Sequence, residues 1–159
     1  MKTLVVYDSV YGNTEIIAQA IAAAIPGEVK VLRVGQVQPC DWESVALLLI
    51  GSPTHGALPT EAVQGLLERI GSPDREGTLA ATFDTRLAWG FLERWGGFAA
   101  PKMADTLQAK GWRLAGQPAG FFVKGLKKGP LKRGEADRAA AWAKGIVAPA
   151  VVSGAAPVP

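Results

Sequence analysis

The stretch Val5-Val6-Tyr7-Asp8-Ser9-Val10-Tyr11-Gly12-Asn13-Thr14 decides the fold of this chain. It begins with apolar residues, passes through a polar turn, and is followed by apolar residues at helical spacing: Ile16, Ile17, Ala20, Ile21 and Ala24. The pattern predicts a buried strand, a short turn and an amphipathic helix. The first turn of such a helix has unpaired N–H groups and the positive end of the helix dipole, so we expect it to attract an anion.

This turn could hold a phosphate without a cation. It offers three hydroxyls, an amide and a glycine that allows close approach of the backbone: Ser9, Tyr11, Thr14, Asn13 and Gly12. No lysine or arginine occurs from residue 3 to residue 29, and neither GxxxxGK[ST] nor GxGxxG is present. Taken alone, the segment fits equally well an ordinary strand-to-helix turn with Ser9 or Asn13 as the helix N-cap.

Composition is typical of one globular domain. The chain has 159 residues, of which 48% are hydrophobic and 19% charged, so it can bury a core and is not expected to be disordered. The longest apolar run, Val45 to Ile50, is too short to span a membrane, and no signal-peptide pattern follows Lys2. We therefore expect a cytoplasmic protein without membrane contact. With one cysteine, Cys40, and one histidine, we expect neither a disulfide nor a metal site.

The net charge of +3 is concentrated late in the chain. The basic segment comprises Lys124, Lys127, Lys128, Lys132 and Arg133. Glycines and Pro130 interrupt it, and no aromatic residue lies between its charges to stack on bases. We therefore expect no nucleic-acid binding, and take the segment as a solvated loop that could attract an acidic partner.

Strand-like and helix-like periodicities alternate along the chain. Predicted strands are Leu4–Tyr7, Val29–Val34, Val45–Gly51, Thr78–Phe83 and a fifth in two pieces, Arg113–Ala115 and Gly120–Val123, broken at Pro118. Predicted helices are Asn13–Ala24, Thr60–Ile70, Gly97–Lys110 and Glu135–Val147. The alternation predicts one α/β domain over residues 1–147, a doubly wound parallel sheet with helices on both faces. Residues 148–159 are predicted to form a flexible tail.

Three loops leave the carboxyl ends of the predicted strands: Asp8–Asn13, Ser52–Pro59 and Asp84–Gly96. Ligands of doubly wound sheets bind at this edge. All three loops are rich in small polar residues, glycine or tryptophan. Together they predict a ligand site.

The three loops together resemble those of the flavodoxin family. The first matches its phosphate-loop pattern at Val5, Val6, Tyr7, Ser9, Gly12, Thr14, Ala18 and Ile21. Gly51–Gly56 and Phe83–Gly97 look like the loops on the two sides of the isoalloxazine ring. The resemblance extends to about Val147 and is to the short-chain form. It implies a five-stranded sheet of order 2-1-3-4-5 and a bound FMN.

The resemblance also assigns roles by position. The FMN phosphate would be wrapped by Ser9, Val10, Tyr11, Gly12, Asn13 and Thr14. One side of the ring would be lined by Ser52, Pro53, Thr54, His55 and Gly56, the last with a peptide that can flip toward reduced flavin. The other side would be lined by Asp84, Thr85 and Trp89. Trp89 is the favoured stacking residue, with Trp95 and Phe91 as substitutes.

The chain departs from the family at two places. Tyr11 stands where threonine is usual, and its hydroxyl reaches further. Ala57 and Leu58 follow Gly56 where many flavodoxins have acidic residues. Because nearby carboxylates repel the anionic reduced flavin, we expect a less negative potential for its second reduction step.

The leading prediction is an FMN-binding electron carrier in which no side chain is catalytic. A redox protein, possibly acidic, or a small-molecule acceptor would take the electrons. One alternative is an FMN-dependent NAD(P)H:quinone-type oxidoreductase, in which the loop 87–95 covers the substrate. Another is a module that has lost FMN and serves as an interaction domain. We further expect Asp84 to pair with Arg86, and Trp42, Trp112 and Trp142 to be packing residues.

Overall fold

The computed structural model describes residues 1–88, 97–125 and 129–153, the last four by their backbone alone. The strands are β1 (Lys2–Tyr7), β2 (Glu28–Arg33), β3 (Leu47–Pro53), β4 (Leu79–Leu87), β5 (Arg113–Leu114) and β6 (Ala119–Val123). The helices are α1 (Asn13–Ala24), α2 (Glu61–Arg69), α3 (Ala99–Ala109) and α4 (Glu135–Ser153), and two 3-10 turns connect β2 to β3 at Val34–Gln36 and Pro39–Trp42.

The strands form one parallel sheet of order β2-β1-β3-β4-β5, and β6 also pairs with β4. Leu79 of β4 is opposite Arg113 of β5, and further along Phe83 is opposite Ala119 of β6. The last position of the sheet is therefore filled by two short strands on either side of Pro118, which has no N–H to donate. The predicted doubly wound sheet, its order and its broken fifth position are confirmed.

Alternating strand residues build a core on each face of the sheet. One face packs on α1 and α4 and includes Val5, Leu49, Phe83, Ile17 and Ala143. The other packs on α2 and α3 and includes Val6, Ile50, Val63, Met103 and Trp112. Both sides of the sheet are thus covered, and its ligand-accessible parts are its ends.

The tryptophans with described surroundings have packing roles. Trp112 is buried in the core on the α2 and α3 side, and Trp42 packs partly buried against it. The Trp142 ring meets Phe83 and Phe121 edge-on, with centroids 6.3 and 6.2 Å away. The predicted packing roles of Trp42, Trp112 and Trp142 are confirmed.

Two elements are longer than their sequence patterns indicate. Strand β4 continues to Leu87, four residues beyond the predicted Phe83, because its far end pairs with β6. Helix α4 continues to Ser153, with Pro149 inside it, instead of ending at Val147. The first residues of the predicted tail are therefore helical, while the division into domain and tail stays a prediction. No helix in the described ranges is long and apolar enough to span a membrane.

Candidate functional site

The first loop joins β1 to α1 and is held by its own backbone and Ser9. The Ser9 hydroxyl accepts the Gly12 N–H at 3.0 Å, and the Ser9 N–H donates to Oδ1 of Asp8 at 2.9 Å. The N-cap of α1 is Gly12, with φ of 91°, and no side chain caps the helix. The prediction of Ser9 or Asn13 as the N-cap is wrong, because the Ser9 hydroxyl is bonded to the cap residue itself.

The space above Gly12 is open. A methyl group placed on its α-carbon would meet no atom within 4 Å. Val10 and Tyr11 are about half exposed on either side of the loop's tip, at 52% and 47%. The N-terminus of α1 is therefore accessible to a ligand, with backbone N–H groups as its donors.

Thr14 is buried, with 1% of its surface exposed, unlike Val10 and Tyr11 at the tip of the loop. Its hydroxyl lies 2.8 Å from that of Thr85 in β4, so the two side chains share a hydrogen bond. Thr14 thereby fixes the start of α1 to the far side of the site. Its backbone N–H remains in the first turn of the helix.

Arg33, at the end of β2, supports the same loop and was missed from the sequence. Its guanidinium donates to the Ser9 carbonyl at 2.8 Å and lies 3.5 Å from Asp8 and 3.7 Å from Glu15. The register of the two parallel strands could have revealed this role. Arg33 is opposite Tyr7, the last residue of β1 before the loop. The loop thus has a cation behind it, although that charge is shared with two carboxylates.

The second loop follows β3 and has a buried and an exposed part. Ser52 is fully buried, and its hydroxyl donates to the Pro53 carbonyl and accepts the Thr60 N–H at 3.0 Å. His55 is exposed and exchanges two backbone hydrogen bonds with Leu58. Gly56 and Ala57 form the turn between them with φ of 55° and 65°. Ser52 therefore shapes the loop, while the part from His55 to Ala57 is available to a ligand.

An ion pair borders the site where β4 ends. Asp84 is fully buried and accepts both Nε (2.6 Å) and Nη2 (2.7 Å) of Arg86, as well as the Ala100 N–H of α3. Burial raises the pKa of Asp84, and the Arg86 guanidinium acts in the opposite direction. That guanidinium stacks 3.7 Å from the centre of the Phe98 ring. The predicted Asp84–Arg86 pair is confirmed, and it ties β4 to the start of α3.

The loops meet around a small pocket of about 90 Å³. Its lining is Ser9, Val10, Tyr11, Asn13, Thr14, Pro53, Thr54, His55, Thr85, Arg86, Leu87, Val123 and Gly125. Gly12, Ser52, Gly56 and Asp84 are not among its lining residues, and Ser52 and Asp84 are fully buried. Trp89, Phe91 and Trp95 lie outside the described residues. The pocket has room for part of a nucleotide-sized ligand, and the rest would lie above exposed loop residues.

The segment after β6 forms a fourth wall that was also missed. Val123 and Gly125 line the pocket, and the Asn13 side chain donates to the Gly129 carbonyl at 2.7 Å. Pairing of β6 with the end of β4 brings this segment to the site. Lys124, Lys132 and Arg133 of the basic segment are exposed nearby along the chain, whereas Lys127 and Lys128 lie outside the described residues.

Comparison with known proteins agrees with this architecture. Residues 4–75 match the model of the flavodoxin domain. A flavodoxin from the domain Archaea superposes with a TM-score of 0.74 at 20% identity, covering 92% of this chain and 96% of that one. For oxidised Flavodoxin 1 from Bacillus cereus the TM-score is 0.75 at 18% identity, with 92% and 97% covered. No curated protein sequence matches the chain.

The fold also occurs as part of larger proteins. Rubredoxin oxygen:oxidoreductase from Desulfovibrio gigas superposes with a TM-score of 0.78 at 20% identity, covering 98% of this chain but 37% of that one. This likeness is one of fold. Together with the match to the flavodoxin domain, which covers the first loop and α1, it supports assignment of the chain to the flavodoxin family.

Proposed function

We propose that this protein binds FMN at the carboxyl edge of its sheet and acts in electron transfer through the bound flavin. The observation that carries the proposal is the open N-terminus of α1 at Gly12, with two further loops and the end of β6 gathered beside it. A phosphate there would accept backbone N–H groups at the positive end of a helix dipole. The residues present fit the group.

Each part of the site has a proposed task. The backbone from Ser9 to Thr14 holds the phosphate, and Ser9 and Arg33 keep that backbone in shape. Residues Thr54 to Gly56 lie along one side of the ring, and Trp89 is proposed to stack on the other. When bound, the flavin supplies the redox chemistry, and the protein sets access to it and its environment.

Arg86 gives the proposed ring site a fixed cation. Arg86 lines the pocket, and its guanidinium is locked by Asp84 and the Phe98 ring, so it does not need to reorganise when charge appears on a ligand. The paired carboxylate offsets part of that charge. Together with Ala57 and Leu58 in place of acidic residues, this supports a second reduction potential that is less negative than in acidic flavodoxins. Redox titration of the FMN-loaded protein measures this second reduction potential. A strongly negative value would contradict the prediction.

The first experiment is the visible spectrum of the purified protein, followed by titration with FMN and with riboflavin. We expect flavin absorbance that survives desalting, and weaker binding of riboflavin because it lacks the phosphate. The Gly12→Ala variant should bind FMN up to about tenfold more weakly, since alanine disfavours φ of 91° by about 1–2 kcal/mol and the loop can relieve that strain only by moving its N–H groups away from the phosphate.

Gly35→Ala is the matched control. Gly35 also has open space around it but no left-handed backbone, so FMN affinity should not change. Absence of FMN binding by the unaltered chain would overturn the proposal and favour an interaction module. If FMN binds, steady-state quinone reduction by NADH or NADPH would indicate the oxidoreductase alternative, whereas a carrier would require a separate reductase.

We also propose that the basic segment receives an acidic redox partner. Lys124 and Arg133 are exposed, and Gly125 next to Lys124 lines the site, so a partner bound here would lie close to the flavin. Attraction between opposite charges is screened by salt. Electron-transfer rates with an acidic donor protein should therefore fall as ionic strength rises. Rates that do not depend on salt would contradict this partner.

A further inference from the structure

A second and larger pocket lies at the opposite edge of the sheet. Its volume is about 460 Å³. Val45, Thr78 and Trp112 line it, and each lies within two residues of the start of β3, β4 or β5. The pocket is therefore at the amino ends of these strands, away from the candidate site at their carboxyl ends. Its volume is within the range of small-molecule sites, about 300–1,000 Å³.

The walls of this pocket are apolar and aromatic. Trp42 and Trp112 contribute indole rings, and Val37, Val45, Leu66 and Ile70 contribute aliphatic side chains. Trp42 and Val37 are only partly buried although both pack on the core. An apolar molecule that filled the pocket would remove this surface from water, which is favourable.

Charged groups stand at the rim. Two arginines, Arg69 and Arg75, and one aspartate, Asp74, line the pocket, and all three are exposed. These charges sum to +1, and Lys110 is held close by, with its ammonium donating to the Ile70 carbonyl at 2.8 Å. The rim therefore favours a ligand that carries a negative charge.

The pocket is built from fixed parts. The Trp112 indole N–H donates to the Gly71 carbonyl at 2.8 Å, which holds the ring against the loop after α2. The 3-10 turn that carries Trp42 is held by Asp41, whose carboxylate accepts the Lys30 ammonium at 2.5 Å and the Gln38 N–H at 2.7 Å. The Trp112 indole and the turn that carries Trp42 are thus positioned before any ligand arrives, which lowers the entropic cost of binding.

We infer that this pocket is a binding site for a small aromatic monocarboxylate, with the ring between Trp42 and Trp112 and the carboxylate at Arg69 and Arg75. The inference does not depend on FMN, because the walls of the two pockets share no residue. A ligand at this edge leaves the candidate site free.

The test is NMR titration of the full chain with indole-3-acetate, observing the indole N–H signals of the tryptophans. Trp→Phe variants assign each signal. We expect the Trp42 and Trp112 signals to shift, while that of Trp142, on the other face of the sheet, stays unchanged. The uncharged analogue indole-3-acetamide should bind about threefold to fivefold more weakly, because it loses the ion pairs with two exposed arginines, which are weak in water.

Two variants sharpen the test. Arg75→Gln should lower the affinity for indole-3-acetate toward that for the amide, with Arg69 retaining part of the attraction, and Arg133→Gln, at an exposed arginine outside the pocket lining, should leave the affinity unchanged. Val37→Phe should weaken binding by taking up part of the pocket. No shift at Trp42 and Trp112 at millimolar probe, or equal shifts at Trp142, would overturn the site. Equal affinity for the acid and the amide would overturn the assignment to a carboxylate.

Discussion

At the scale of single residues, Glu135 joins the last helix to the last strand. Its carboxylate accepts the Phe122 N–H at 2.7 Å and two N–H groups of Arg138, at 3.0 and 2.6 Å. The Arg138 hydrogen bonds and the Phe122 N–H lower the pKa of Glu135, although burial opposes them. An ionised carboxylate is therefore part of what holds α4 against β6.

Glu135→Gln should lower the free energy of unfolding by about 1–3 kcal/mol at pH 7, because the partly buried Phe122 N–H and the Arg138 guanidinium lose their charged acceptor. A lowered folded-state pKa gives stability that is complete above the unfolded value of about 4.3 and is lost as pH falls through the folded value. The difference between the two proteins should therefore shrink below about pH 4. Urea denaturation of both proteins at pH 7 and pH 3 measures this difference in the free energy of unfolding.

Asp137→Asn is the control for the Glu135 variant. Asp137 is an exposed carboxylate in the same first turn of α4, so its loss should change stability by no more than about 0.5 kcal/mol. A Glu135→Gln effect that is the same at both pH values would contradict the role of the ionised carboxylate.

At the scale of elements, the start of α2 is a junction between two loops of the site. The Thr60 hydroxyl caps the helix by accepting the Val63 N–H at 3.4 Å and donates to Oδ2 of Asp8 at 2.6 Å. The Thr60 N–H in turn donates to the Ser52 hydroxyl. One residue therefore links α2 to the loops after β1 and β3.

Thr60→Ala should destabilise the protein by about 1–2 kcal/mol, since it removes an N-cap and a hydrogen bond to a carboxylate. Thr106→Ala makes the same change inside α3, where the hydroxyl donates back to the Lys102 carbonyl. There alanine's higher helix propensity should keep the change within about 0.5 kcal/mol. Thermal unfolding compares the two variants. Equal losses of stability would show that Thr60 contributes no more than a threonine inside a helix.

The sequence predicts elements well where local periodicity forms them. Helix α1 has the predicted bounds, because its apolar spacing and the Pro26-Gly27 stop are local signals. It does not predict the end of β4, which extends through the polar residues Asp84 to Arg86 because β6 pairs with them. Tertiary pairing overrode the polar composition that had indicated a loop.

At the scale of the whole molecule, the edge that holds the candidate site followed from topology alone, since loops after parallel strands meet there. The contributions of Arg33 and Gly129 did not, because each depends on which strands become neighbours and on backbone geometry far away in the chain. The second pocket could not be predicted from the sequence either, since its walls come from three separate connections and from α2.

A ligand that binds the folded chain stabilises the whole cooperative unit. FMN at one hundred times its dissociation constant should add about 2.7 kcal/mol, which for a 159-residue domain corresponds to a rise of about 5–10 °C in Tm. Riboflavin at the same concentration should raise Tm less, because it lacks the phosphate that the N-terminus of α1 would bind, and Gly12→Ala should reduce the difference between the two flavins. Differential scanning calorimetry measures all three. Equal Tm shifts with FMN and riboflavin would show that the first loop does not bind the phosphate.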